Sequence, residues 1–425
     1  MPIKAVGVVH NSGCYGGEPE AEETVLPVAT TAQIDPLGKF LVGQMPLRSF
    51  TEDEVRRYAC KNGDILIVKS SGSADNIISG KAGLVDEGTP LFVFSNFLMR
   101  IQPELDKILP SYLYAFLVSH LTRQRVELMC STTTYPNLQV GEYVSASITL
   151  PPRSEQKQIA DFLDWKTGQI DALIAKKQQL IEKLQEQRIT LITQAVTKGL
   201  NPNALMRESS IPWLGEVPDH WDVMQLRRRW EIYDCKHKTV SFIDEGFPAA
   251  SIREVNGFEV DLTNANKTTE EEYEDMIEGG REPKAGDIIY SRNVTVGDAA
   301  IVTTEERFCM GQDVCLLRSV DAFSRFVAYS LRSHALREQA EAIMVGSTFK
   351  RVNVGQIKAF WIAVPPHSEQ KQIAKFLDKE STKIDRMLGK VETAIERLSE
   401  YRTAIITAAT TGKIDVRDVE IPLAV

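Results

Sequence analysis

The chain has 425 residues, of which 43% are hydrophobic and 25% charged, a composition typical of globular proteins and long enough for two or three domains. Its 58 acidic residues outnumber 49 basic ones and give a net charge of −9, which argues against a protein that simply coats DNA. No apolar run approaches the roughly 20 residues of a bilayer span, and the six cysteines are scattered, so we expect a cytoplasmic protein without membrane segments or disulfides.

The first segment, residues 1–150, is predicted to be a mixed α/β domain. Short apolar runs at 64–68 and 91–94 are typical of strands, and the stretch 110–129 is typical of a helix. Polar loop residues that suit phosphate and base-edge contacts follow the first strand and occupy a later turn, and they are Lys69, Ser70, Thr134, Tyr135 and Asn137. For the aromatic residue in that turn, an ordinary hydrophobic anchor remains an equal alternative.

Residues 151–200 predict one long helix. Two prolines precede Ser154, a residue suited to capping a helix start, and Gly199 is expected to end the helix. Apolar residues recur every seven positions, as in a coiled-coil seam, at Leu163, Ile170, Leu184 and Leu191. We expect a second apolar column three residues farther on, at Leu173 and Leu180.

Residues 201–364 are predicted to form a second mixed α/β domain, with strand-like runs at 288–290 and 314–317 and a helix at 323–344. Candidate DNA contacts in its loops are Lys236, Lys238, Arg253, Arg292, Asn293, Phe349, Lys350 and Arg351. The acidic run 270–275 would repel phosphates, so we expect it to point to solvent, away from nucleic acid.

The segment 365–415 repeats the long helix, and residues 416–425 form a tail. Residues 365–378 match 151–164 at twelve of fourteen positions, so the chain is a tandem duplication. The predicted seam of the second helix is Leu377, Ile384, Val391, Leu398 and Ile405. We therefore predict an α+β fold in which two mixed α/β domains are joined by two long helices, packed as an antiparallel coiled coil with pseudo-twofold symmetry from the duplication.

Enzymatic sites are not evident in the sequence. It has no phosphate-binding glycine-rich loop and no Gly-x-Ser-x-Gly nucleophile turn. Cys235 and His237 are close enough in sequence to suggest a pair of metal ligands, but two further ligands are lacking. We expect no catalytic residues and no metal site.

Two globular segments that alternate with helices opening Pro-Pro-x-Ser-Glu-Gln-Lys-Gln-Ile-Ala resemble the specificity (S) subunits of type I restriction–modification systems. The segment 212–221 resembles the start of a target-recognition domain in that family, and it has no counterpart at the N-terminus. We therefore expect that another segment covers that surface or that the chain begins later than a full-length relative.

The resemblance implies that domains 1–150 and 201–364 each recognise one half-site of a split, asymmetric target in double-stranded DNA. The chain would bind two modification (methyltransferase) subunits and also restriction (nuclease/translocase) subunits. Those partners would use S-adenosylmethionine, ATP and Mg²⁺, and this chain would need no cofactor. The alternatives are a coiled-coil scaffold for protein interactions that does not read DNA, and a fragment of an enzyme such as a methyltransferase; the paired helix-opening motifs favour the specificity subunit.

Overall fold

A computed structural model of the chain describes residues 1–19, 24–35, 38–43, 45–70, 72–73, 76–130, 137–293, 296–319, 323–344 and 351–422. Contacts divide the chain into two compact units, Met1–Lys177 together with Glu392–Val425, and Gln178–Val391. Each unit contains one mixed α/β globule and parts of both long helices. The domain limits predicted from the sequence stay a prediction, because each compact unit combines helix segments that are far apart in the chain.

The elements of the first globule are followed by the first long helix. Its strands are β1 Gly7–His10, β2 Thr24–Ala29, β3 Leu47–Phe50, β4 Ile65–Val68, β5 Gly72–Ser73, β6 Asn76–Ile77, β7 Ala82–Leu84, β8 Val93–Phe94 and β9 Leu98–Pro103. Its helices are α1 Glu52–Tyr58, α2 Pro110–Leu117, α3 His120–Cys130 and α4 Val140–Ser145, and the long helix is α5 Arg153–Lys198.

The second globule has the strands β10 Met206–Glu208, β11 Glu216–Pro218, β12 Asp222–Gln225, β13 Trp230–Asp234, β14 Phe247–Ala250, β15 Lys267–Thr268, β16 Ile288–Ser291, β17 Ala299–Ile301, β18 Cys309–Met310, β19 Val314–Ser319 and β20 Trp361–Val364. Its helices are α6 Glu270–Ile277, α7 Ser324–Arg332, α8 His334–Met344 and α9 Val354–Lys358, and the second long helix is α10 His367–Thr410.

Each globule is organised around an antiparallel four-stranded sheet. The strand order is β1-β9-β4-β7 in the first and β13-β19-β16-β17 in the second, so the duplication extends to the topology. All four residues of β4 are buried, Ile65 and Ile67 in one hydrophobic cluster and Leu66 and Val68 in another. Successive side chains of a strand point to opposite faces, so covering both faces accounts for the unbroken apolar run in the sequence.

The duplicated helix-opening motif attaches each long helix to its globule. The buried Gln156 accepts a hydrogen bond from the Leu109 amide (2.9 Å) and donates to the Pro151 carbonyl (3.0 Å). Gln370, its counterpart, accepts from the Phe323 amide (3.0 Å) and donates to the Pro365 carbonyl (2.9 Å). The two helices begin one residue before the predicted capping serines, a shift within the usual variation of helix ends.

A second repeated contact lies where each predicted helix of the globules is interrupted. The predicted helical stretches 110–129 and 323–344 each contain two helices. The helices that follow the interruptions, α3 and α8, begin at His120 and His334. The His120 amide donates to Thr407 Oγ1 (2.9 Å), and the His334 amide donates to Thr193 Oγ1 (2.8 Å).

The long helices pack antiparallel within each unit. In the first, Asp171 of α5 pairs with Arg402 of α10 (2.8 Å), whereas Gln158, nearer the start of α5, bonds the Arg417 carbonyl beyond the end of α10. In the second, Arg188 of α5 pairs with Asp385 of α10, whereas Val196, nearer the end of α5, shares a hydrophobic cluster with Ile373, nearer the start of α10. Residue numbers rise along one helix as they fall along the other, so the predicted antiparallel arrangement is confirmed.

Burial along the helices identifies the seam. Seven of the predicted seam residues are less than a tenth exposed and Leu191 and Leu398 are half-buried, the buried seven being Leu163, Ile170, Leu184, Leu377, Ile384, Val391 and Ile405. The second column is wrong: Leu173 is 47% exposed and Leu180 is 43% exposed. The neighbouring Ile174 is buried instead, which is the drift expected when 3.6 residues per turn meet a seven-residue repeat.

The described part of the C-terminal tail, up to residue 422, packs within the first unit. Val416 is 3% exposed within the hydrophobic cluster that contains Ile159 and Leu163, and Ile414 and Val419 pack against the same cluster. In the second unit the equivalent helix residues, Ile373 and Leu377, share a cluster with Leu214 and Val217 from the segment 212–221. The tail thus contributes to the first core much as that segment contributes to the second.

Within the described part of the chain, no helix combines the length and the apolar character needed to cross a membrane.

Candidate nucleic-acid interface

In the second unit, two loops that are about sixty residues apart in sequence meet at the end of β16. The backbones of Asn293 and Arg351 form an isolated β-bridge, and the Val352 amide donates to the Arg292 carbonyl (3.0 Å). Asn293 Nδ2 also donates to Asp313 Oδ1 (3.2 Å). The structure therefore brings two of the predicted polar segments into one cluster.

The first unit contains the same junction with different residues. Ser70 and Asn137 form the bridge, and the Leu138 amide donates to the Lys69 carbonyl (2.7 Å). Asn137 is exposed, while partial burial lowers the pKa of Lys69. Ser70 and Asn137 thus occupy the places of Asn293 and Arg351, so the backbone is repeated and the side chains are not.

The side chain of Arg292 differs from what the sequence suggested, because it is only 1% exposed. Its Nη2 lies 2.8 Å from Asp234 Oδ1 and 3.2 Å from Cys235 Sγ. A buried guanidinium needs a counter-ion, and Asp234 supplies one from the end of β13. Arg292 is therefore not part of the exposed surface of this unit, and its contact with DNA stays a prediction.

His237 lies between Asp234, the partly exposed partner of Arg292, and the exposed Arg351. Its Nε2 is 3.3 Å from Asp234 Oδ2, and its Nδ1 is 3.2 Å from Arg351 Nη2. The backbone of His237 has φ +51°, the left-handed region that few non-glycine residues adopt. The sequence offered one signal for this residue, its proximity to Cys235, which pointed to metal rather than to arginine.

Asp234, Cys235 and His237 place three potential metal-ligating atoms within 4.8 Å of one another. The geometry adds Asp234 to the pair seen in the sequence. However, the cationic Arg292 already contacts both the carboxylate and the sulfur, and burial raises the pKa of the Cys235 thiol, which disfavours the thiolate that a metal requires. The cluster is better suited to positioning arginines than to binding a cation.

Lys236 and Lys238 are paired with acidic residues of α6 and the turn after it. Asp275 contacts Lys236 Nζ at 2.7 Å and Lys238 Nζ at 3.0 Å, and Glu278 contacts Lys236 at 2.5 Å. These hydrogen bonds from the two lysines lower the pKa of Asp275. Glu270, Glu271 and Glu274 are exposed as predicted, whereas Asp275 is partly exposed and pairs with both lysines.

A cleft of about 380 Å³ lies beside this cluster in the second unit. The exposed Arg253 lines it together with Lys238 and Asn266, and Phe242, which is 59% exposed, forms part of its wall. Phe242 is not among the contacts predicted from the sequence, although an aromatic residue shortly after Lys236-His-Lys238 could have indicated it.

Four predicted contacts lie outside the described residues, namely Thr134, Tyr135, Phe349 and Lys350.

Comparison with known proteins places this architecture in a family. The model of the type I restriction modification DNA specificity domain matches residues 47–185 and 244–397. Among similar proteins of Methanocaldococcus jannaschii, one provisionally named the MjaX type I restriction enzyme specificity subunit is 26% identical over 377 residues, covering 86% of this chain and 82% of its own length. The MjaVIII specificity subunit is 23% identical over 84% of this chain and 80% of its own length.

Two further similarities extend the comparison. The Escherichia coli K12 EcoKI specificity subunit is 22% identical over 83% of this chain and 75% of its own. A chain from a solved structure on complex assembly and conformational transition of the type I R-M system aligns over 97% of both chains with a TM-score of 0.69 at 16% identity, which shows a common fold. With two copies of the specificity domain covering most of its length, the chain belongs to the type I restriction–modification DNA specificity family.

Proposed function

We propose that this chain is the DNA-reading subunit of a type I restriction–modification complex and that each unit recognises one half-site of a split, asymmetric target. The observation that carries the proposal is the repeated loop junction. Ser70 and Asn137 in one unit correspond to Asn293 and Arg351 in the other. Arginine pairs well with guanine and asparagine with adenine, so different side chains on one repeated backbone favour different bases.

The charge distribution indicates which subunits of the complex would make most of the contacts with DNA phosphates. The chain carries −9 overall, and two of its candidate lysines are paired with carboxylates. Sequence-independent affinity for DNA comes mainly from phosphate contacts, so the isolated chain should bind weakly and partner subunits should supply most of those contacts.

We propose two modification subunits for each chain, because the helix joint at Gln156 recurs at Gln370, and restriction subunits in the nuclease form. Methyl transfer from S-adenosylmethionine and ATP-dependent, Mg²⁺-dependent cleavage would belong to those partners, and this chain is non-catalytic. The mass of the co-expressed complex tests the stoichiometry, and a stable complex with one modification subunit that methylates both half-sites would contradict it.

Exchange of one globule tests the modular reading of DNA. Residues 201–364 would be replaced by the corresponding segment of a relative, and the complex with modification subunits would select targets from randomised duplexes. We expect one half of the selected sequence to change and the other to persist, with the reverse result when residues 1–150 are exchanged. A change in both halves would contradict the proposal, and a wild-type complex that selects no sequence would favour the scaffold alternative.

A further inference from the structure

We propose that His237 is a positioning residue that holds Arg351 for a base contact in the second half-site. The inference rests on the proposed DNA-reading function and extends it to one residue that sets specificity through another. It follows from a continuous set of contacts that runs from a buried arginine to an exposed one.

The contacts begin in the interior of the second unit. Arg292, 1% exposed, fixes Asp234 through a 2.8 Å contact with Oδ1. Asp234 Oδ2 then lies 3.3 Å from His237 Nε2. A carboxylate beside Nε2 favours the tautomer that carries its proton there, which leaves Nδ1 as an acceptor.

Arg351 is the nearer of two groups beside that acceptor. Its Nη2 is 3.2 Å from His237 Nδ1, whereas Cys235 Sγ lies 3.5 Å from the same nitrogen, and the backbone of Arg351 is fixed by its bridge to Asn293. Arg351 is an exposed residue. One nitrogen is therefore held by the imidazole, while the remaining N–H groups can make a bidentate contact with guanine or a phosphate.

Holding the side chain in advance matters energetically. A free arginine loses rotamer freedom when it docks on a base, and a preorganised one has lost part of that freedom already. The left-handed backbone at His237, φ +51°, is a strained conformation of the kind that accumulates at functional sites. The first unit has Asn137 at the position of Arg351, so the arrangement belongs to the second half-site only.

The test uses the full chain co-expressed with its modification subunits and compares three variants. His237→Gly removes the imidazole while suiting the positive φ, so it avoids the strain that alanine would introduce. His237→Asn also tolerates that φ and keeps an acceptor near the place of Nδ1. Arg351→Ala removes the reader itself, and the double variant His237→Gly with Arg351→Ala completes a cycle.

Affinity and base preference would be measured on the selected target and on duplexes altered at each position. Arg351→Ala should weaken binding about 5- to 150-fold and flatten the preference at one base pair of the second half-site. His237→Gly should weaken binding about 3- to 10-fold and flatten the same position, His237→Asn should restore most of the loss, and the double variant should equal Arg351→Ala alone. Preferences in the first half-site should not change, which provides the internal control.

Two outcomes would overturn the inference while leaving the proposed function intact. One is that the wild-type complex selects its target and that the His237→Gly complex keeps the full base preference. The other is that His237→Gly lowers the melting temperature and that its loss of affinity multiplies with the loss caused by Arg351→Ala. His237 would then have only a structural role. A wild-type complex without sequence preference would overturn both proposals.

Discussion

Replacing Gln370 by Met tests whether the repeated helix-opening motif is a structural joint. Gln370 is 2% exposed, and its amide makes two hydrogen bonds, with the Phe323 amide at 3.0 Å and the Pro365 carbonyl at 2.9 Å. Methionine has nearly the same length and volume, so the substitution removes these bonds while largely preserving packing.

The expected cost follows from the groups left without a partner. An unsatisfied buried donor or acceptor costs about 1–3 kcal/mol. The Pro365 carbonyl is in a buried contact and the Phe323 amide in a partly buried one. Leaving both groups without their hydrogen bonds should lower the free energy of unfolding by about 2–4 kcal/mol. Gln156→Met should cost at least as much, because Gln156 also donates to the Lys107 carbonyl at 3.2 Å.

Urea unfolding of the full chain, followed by far-ultraviolet circular dichroism, would measure the loss, and hydrogen exchange at the Phe323 amide would localise it. Gln372→Met, two residues along the same motif at an exposed position, is the matched control and should change stability by less than about 0.5 kcal/mol. Equal effects at Gln370 and Gln372, or unchanged exchange at Phe323, would refute the assignment of the motif as a joint.

Three further predictions concern the seam, the acidic helix and the thiols. Leu184→Asp should lower the free energy of unfolding by several kcal/mol, because it places an unpaired charge at a position that is 7% exposed, whereas Leu180→Asp at a 43% exposed position should have little effect. Similar losses of stability for the two variants in urea unfolding would contradict the assignment of the seam. Asp275→Asn should release Lys238 and steepen the salt dependence of DNA binding by about one unit. Because the pKa of Asp275 is lowered, its pairing with the lysines should be complete above the ordinary carboxyl pKa and be lost as the pH falls through the lowered value. A salt titration of DNA binding with an unchanged slope would argue against competition between α6 and DNA. Burial raises the pKa of the Cys309 thiol to about 11 and also raises the pKa values of the other four buried thiols. Alkylation of the native chain at pH 8 should therefore reach Cys14 at most. Rapid labelling of Cys235, detected by mass spectrometry, would contradict its burial beside Arg292.

Local patterns in the sequence determined the architecture. The Pro-Pro pairs, the seven-residue spacing of apolar residues and the offset of 214 residues predict two long helices and a repeated globule, and the structure confirms each. These features depend on residues that are neighbours in the chain, because helix starts, amphipathic faces and buried strands are encoded within a few turns or pleats. The paired loop tips were also visible, since Lys69 and Asn293 follow matching strands.

Only the tertiary structure decided which of those loop residues face solvent. Arg292 and Arg351 look alike as sequence, yet one is buried against Asp234, 58 residues earlier, and the other is exposed beside His237. Lys236 and Lys238 look like free cations until α6 brings Asp275 beside them. A charge is neutralised or left available by partners that lie tens of residues away, and no local pattern records those distances, because folding brings such partners together through the packing of whole elements.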